Sequence, residues 1–162
     1  MEKLISISSN EACWPNVVRH FMKNYAAMKK SDLDYPTTIE IKSIDKLNGN
    51  KPVIEDLHYD LYTLKVRLNF STNTEYLEPI YVIFRQVEGF RVLGEENLME
   101  FWVNPKRANG WLWKVENGGW HDQEKKRDGF INEITEDFDE YMIVGQNDCL
   151  NVITGFEPTF IY

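Results

Sequence analysis

No apolar run in these 162 residues approaches the roughly 20 that a membrane-spanning helix needs; the longest, Ile80–Phe84, has five. Two cysteines, Cys13 and Cys149, are too few for a disulfide scaffold. With only three histidines, no Cys or His spacing resembles a zinc site. The catalytic signatures are missing as well: no G-x-S-x-G elbow, no G-x-x-x-x-G-K-[ST] phosphate loop and no H-E-x-x-H. The acidic stretch has neither the glycine nor the ligand spacing of a calcium loop. The first ten residues carry no long apolar segment and no small-residue cleavage site, so no secretory signal is expected. These absences lead to the expectation of a cytoplasmic chain with reduced thiols, no metal, no cofactor and no membrane contact. No repeat, low-complexity tract or flexible linker divides it, and one domain over residues 1–162 is expected.

Hydrophobic residues make up 43% of the chain and aromatics 14%, enough apolar surface to offset the entropy of ordering it. The charge is unevenly placed. Up to Val87 there are eleven acidic and eleven basic side chains; from Glu88 onward there are fifteen and seven. The whole net charge of −8 therefore falls in the second half, and between Ile131 and Asp148 six acidic residues stand without a Lys or Arg. A surface of this sign repels nucleic acid phosphates and attracts a cationic partner, whose approach it would steer. A solvated acidic face that merely keeps the chain dispersed has the same composition.

The hydrophobic period changes along the chain. Ser8-Ser9-Asn10-Glu11 has the spacing of a capping box, and Val17, Val18, Phe21, Met22, Tyr25 and Met28 recur at helical intervals. The pattern predicts one amphipathic helix of about four turns, ended before Pro36. Thereafter the period is two. Strands are predicted at Thr38–Lys42, around Leu57–Leu61 and Leu64–Phe70 with a phase slip at Tyr62-Thr63, and at Pro79–Val87, with a tight turn at Glu88-Gly89 into Phe90–Leu93. Glu95–Trp102 reads as a short helix. Trp111–Glu116 reads as a strand with its tryptophans on one face, and Asn117-Gly118-Gly119 as a hairpin turn from which Trp120 returns. Glu140–Val144 and Cys149–Ile153 complete the strands. The expected fold is α+β: a single domain with a mainly antiparallel sheet and the N-terminal helix packed on one face.

Chemistry has few candidates. His121 could serve as an acid or base with Asp122 or Glu124, or activate Cys149, although alternation on a strand would turn His121 away from both acids. Cys149 opens an apolar strand, where a buried thiol is the common outcome. Trp111, Trp113 and Trp120 could form a ligand-binding platform around the hairpin, or Trp111 and Trp113 could enter the core with Trp102, leaving Trp120 partly exposed.

One stretch resembles known proteins. Phe90-Arg91-Val92-Leu93-Gly94-Glu95 with Leu98 and Phe101-Trp102 forms one element, and Gly110-Trp111, Glu116–Trp120 and Glu124 form another. The third is Glu140–Gly145 with Asp148-Cys149 and Val152. Over about 60 residues the pattern resembles small acidic bacterial immunity proteins of polymorphic or contact-dependent toxin systems. The resemblance implies an inhibitor that binds a cognate toxin domain, and it carries no catalytic residues across. The charge argument independently nominates Glu133, Glu136, Asp137, Asp139 and Glu140 as partner-binding carboxylates, with Trp120 as an anchor and Asp122 as a hydrogen-bond acceptor. The expectation is a non-enzymatic immunity protein. The alternatives are a small hydrolase using His121, or a tryptophan-based binding module.

Overall fold

The computed structural model describes residues 35–41, 51–71, 75–104, 108–130 and 137–162. Contacts divide the chain into Met1–Asp34 and Tyr35–Tyr162, and every described residue lies in the second unit. That unit contains nine described strands: β1 Thr37–Glu40, β2 Val53–Tyr59, β3 Thr63–Asn69, β4 Ile80–Arg85, β5 Val87–Gly94, β6 Leu112–Asn117, β7 Asp139–Val144, β8 Asp148–Thr154 and β9 Thr159–Ile161. Two short helices, α1 Met99–Trp102 and α2 Trp120–Glu124, follow β5 and β6 respectively. The strands form two sheets, ordered β1-β6-β7-β8-β5 and β2-β3-β4-β9, and every pairing is antiparallel.

Alternation builds the core between the sheets. Leu64, Val66 and Leu68 of β3 and Ile80, Val82 and Phe84 of β4 are buried, while Lys65 and Arg67 face solvent. Against them pack Tyr141 and Ile143 of β7 and Leu150 and Val152 of β8. The five-stranded sheet is buried on its other face too. There Trp113, Val115, Met142, Val144 and Cys149 form a second cluster, capped by Leu98 and Phe101 from the α1 segment. Burial on both faces explains why β7 and β8 read as almost continuous apolar runs.

The α+β expectation is thus corrected: the described residues form a two-sheet β structure in which helix is confined to two short segments. The predicted N-terminal helix lies outside the described residues. Three local expectations also change. The phase slip at Tyr62-Thr63 is a hairpin turn between β2 and β3, because the chain reverses there. Glu88-Gly89 is no turn; the chain breaks at Gln86 and passes from one sheet to the other. Gly118 does take a positive φ of 73°, yet the chain then enters α2 at Trp120, because β6 finds its partners in β1 and β7.

The tryptophans separate accordingly. Trp113 packs edge-on against Trp102, ring centroids 5.7 Å apart, whereas Trp111, just ahead of β6, meets Phe70 and Phe160 between the sheets. Trp111 and Trp113 therefore do not share a face.

Leu64→Ala in the inter-sheet core should lower the unfolding free energy by about 2–5 kcal/mol, seen as a lower urea midpoint at unchanged slope. Arg67→Ala, on the solvent side of the same strand and paired with Glu55 at 3.3 Å, should change it by less than about 1 kcal/mol.

Candidate functional site

The polar residues gather where α2 lies beside the five-stranded sheet. On that face Arg91 of β5 pairs in register with Asn151 of β8, and Asn151 donates from Nδ2 to Glu140 Oε1 of β7 at 2.6 Å. The backbone N–H of His121 donates to Glu140 Oε2 at 2.8 Å. Glu140 is only 2% exposed and His121 5%. A polar row therefore crosses three strands beneath a helix, with a buried carboxylate holding the helix to the sheet.

The approach of α2 depends on Gly119. A Cβ at that position would collide with Glu140 Oε2 and with Val115 Cγ1. One residue earlier, the Gly118 N–H donates to Asp122 Oδ2 at 2.6 Å, which ties the turn to the helix it introduces. Trp120 turns the other way: its Nε1 donates to Glu124 Oε1 at 2.9 Å, and the Arg91 guanidinium lies over its ring at 5.1 Å from the centroid. Arg127 Nε completes this corner with a 2.6 Å bond to Glu124 Oε2.

Between α2 and the ends of β6 and β7 lies a recess of about 230 Å3. Its walls include Glu116, His121, Asp122, Asp139 and Glu140, with Lys114 and Lys125 as the cations and Phe138 as an apolar edge. Both ammonium groups already face a carboxylate: Lys114 Nζ is 2.7 Å from Asp139 Oδ2, and Lys125 Nζ is 3.8 Å from Asp122 Oδ1. Four carboxylates against two paired cations leave the recess with a surplus of negative charge.

Burial tunes the groups that line it. Desolvation pushes the Glu140 carboxyl above its ordinary range, opposed by the His121 N–H, the Asn151 amide and the Arg91 charge. Desolvation and Lys125 push His121 below its ordinary value, opposed by Asp122 and Asp139. Glu124 is lowered by the bonds from Arg127 and Trp120. Arg91 is lowered by burial, with Glu140, Glu100 and Glu124 opposing. Four buried polar atoms find no partner among the described residues: His121 Nε2, Arg91 Nε and Asn151 Oδ1 on this face, and the Tyr141 hydroxyl in the core between the sheets.

Of the residues nominated from sequence, the structure brings Asp122, Asp139 and Glu140 to one recess. Asp137 is exposed and adjoins Phe138 at its edge. Trp120 is half-buried and engaged with Arg91 rather than turned outward as an anchor. Glu140 points inward, and it lines the recess. Glu133 and Glu136 lie outside the described residues. No family model, curated protein or solved structure matches this chain. The site alone therefore carries any reading of function.

The other candidates do not converge. Cys149 sits in the cluster beneath α1, where burial and the nearby Glu95 push its thiol up to about 12, so it is protonated at neutral pH. His121 occupies a helix rather than a strand, which sets it within the field of Asp122 and Asp139 but leaves Glu124 engaged with Trp120. Among the described residues no group of three His, Cys, Asp or Glu is arranged to hold a metal ion, and no helix is long and apolar enough to cross a membrane. Sequence reading missed Arg91 and Asn151. Their signal was a polar residue interrupting an apolar strand, Arg91 between Phe90 and Val92 and Asn151 between Leu150 and Val152.

Two outcomes follow for stability. As pH rises past 4.5, the unfolded chain ionises its Glu140 equivalent first, so stability contributed by the protonated form is lost up to the raised folded value. As pH falls below 6.5, the unfolded chain protonates its histidine first, and stability is lost toward the lowered folded value. In urea titrations from acid to neutral pH, Glu140→Gln should remove the first slope and His121→Gln the second. Gly119→Ala should cost about 1–3 kcal/mol by displacing α2 from the Glu140 carboxylate, measured by the same titration at pH 7.

Proposed function

We propose that this chain is a cytoplasmic immunity protein that binds and neutralises a basic bacterial toxin domain without covalent chemistry and without contacting nucleic acid itself. The observation that supports the reading is the surplus of carboxylates in the recess between β6, β7 and α2, where Glu116 and Glu140 remain after Lys114 and Lys125 are matched to their aspartates. An arginine or lysine of the partner entering there meets a desolvated acceptor already oriented by the His121 N–H and Asn151. Charge-assisted hydrogen bonds in such a setting are strong, and a partner lacking the cation forgoes them.

The surrounding charge supports the same reading. Glu116 and Asp137 are exposed near the mouth, and fifteen acidic against seven basic side chains from Glu88 onward provide a long-range field that accelerates encounter with a basic surface. An entering cation lowers the Glu140 carboxyl from its raised value. Affinity on this reading increases with pH across the Glu140 transition.

The test uses the purified product of the neighbouring upstream gene, which on this reading is basic. Stopped-flow association at low and high salt should show steep salt dependence with the parent chain, and Glu116→Lys/Asp137→Lys should slow association about tenfold and flatten that dependence. Unchanged kinetics in the charge-reversed chain, or no binding by the parent, sinks the proposal.

A further inference from the structure

One end of the two-sheet structure carries features that the recess does not explain. Leu61 and Gln86 are the described non-glycine residues with positive φ, at 67° and 53°. The left-handed region is costly for a residue with a Cβ, and a leucine has no polar side chain with which to offset that cost locally. Burial does not offset it either, because Leu61 is 76% exposed. The next residue, Tyr62, is 73% exposed.

The turn nevertheless holds this conformation with several bonds. Asp60 Oδ1 accepts from the Thr63 N–H at 3.0 Å, the Asp60 carbonyl from the Tyr62 N–H at 2.8 Å, and the Leu61 carbonyl from the Tyr59 hydroxyl at 2.7 Å. An apolar side chain is thus fixed outward on a braced turn. Strain of this kind persists where surrounding structure enforces it, and it concentrates at functional positions.

Backbone bonds join three chain segments here. Val87 N–H donates to the Tyr62 carbonyl at 3.2 Å, and Gly155 N–H donates to the Gln86 carbonyl at 3.1 Å. The residue after Gly155 is Phe156, 58% exposed. Leu61, Tyr62 and Phe156 therefore stand at one end of the sandwich. Gly155 also lies against Phe138, which stands 3.3 Å from where a Cβ would be, and Phe138 is an edge of the recess. The apolar end and the acidic recess are continuous through that ring.

The charges around the apolar residues are uneven. Asp60, Glu88, Asp137 and Glu157 are exposed beside these segments, against Arg85 as the exposed cation. Apolar anchors ringed by carboxylates fit a partner whose apolar depression is rimmed by Lys and Arg. A second copy of this chain would set like charges against each other across the interface.

We infer that this end of the sandwich is a docking surface for a basic protein, with Leu61, Tyr62 and Phe156 as its apolar anchors. The inference rests on the inhibitor reading for the partner's charge, and it adds a second, apolar contact region to the recess.

The experiment combines crosslinking with titration. Benzoylphenylalanine replaces Tyr62 or Phe156 in the full chain in its host, and adducts formed on irradiation are identified by mass spectrometry. The purified crosslinked protein is then titrated with the parent chain and with Leu61→Gly, Phe156→Ser and Glu116→Lys. Both positions should crosslink to one basic protein, and Leu61→Gly and Phe156→Ser should each weaken its binding about tenfold or more. Leu61→Gly should have a melting temperature no lower than the parent's, since glycine accepts the positive φ. Adducts only to a second copy of this chain, no adducts, or unchanged affinity in both anchor variants overturns the inference. Loss of binding with Glu116→Lys alone leaves the recess standing without the apolar surface. Loss with the two anchor variants alone leaves the apolar surface standing and removes the recess.

Discussion

The position of α2 depends on a single buried carboxylate. Glu140 accepts from the His121 backbone on one oxygen and from the Asn151 amide on the other. The first of these bonds fastens a five-residue helix to one face of the sheet, and the second orients the carboxylate that makes it. A helix so short has no independent stability, and tertiary bonds must hold it. Taking those bonds from an acid rather than from a backbone carbonyl has a consequence: the group that anchors the helix is also one whose ionisation burial disfavours.

The same face shows why polar atoms are tolerated within a close-packed sheet. Arg91, Asn151 and Glu140 occupy neighbouring register positions across β5, β8 and β7, so that each partly compensates the next. Compensation is incomplete, since Arg91 Nε, Asn151 Oδ1 and His121 Nε2 remain without partners among the described residues. Buried polar groups left unpaired cost stability. The left-handed Leu61 on its braced turn is connected to the recess through Gly155 and Phe138. The recess is lined mainly by charged residues, whereas Leu61, Tyr62 and Phe156 are exposed apolar side chains.

The acid balance of the second half, the period-two strands and the small content of chemistry-bearing residues are properties of composition and spacing, and they were legible in the sequence. So were the β7 and β8 segments, because burial on both faces leaves long apolar runs in Tyr141–Val144 and Cys149–Ile153. Which strands pair, and through which turns, depends on contacts between distant residues. Local pattern made Gly118-Gly119 a hairpin turn. Tertiary structure made it the entry to α2, because β6 already had a partner on each side. The candidate site divides in the same way: local charge and turn chemistry pointed to Asp122, Asp139 and Glu140, but only the register of β7 shows that Glu140 faces inward while Asp139 meets Lys114. Arg91 and Asn151 stand sixty positions apart in the chain and become neighbours only through β5–β8 pairing. Composition determines what a chain has available; long-range pairing, which no local period encodes, decides which of those groups meet.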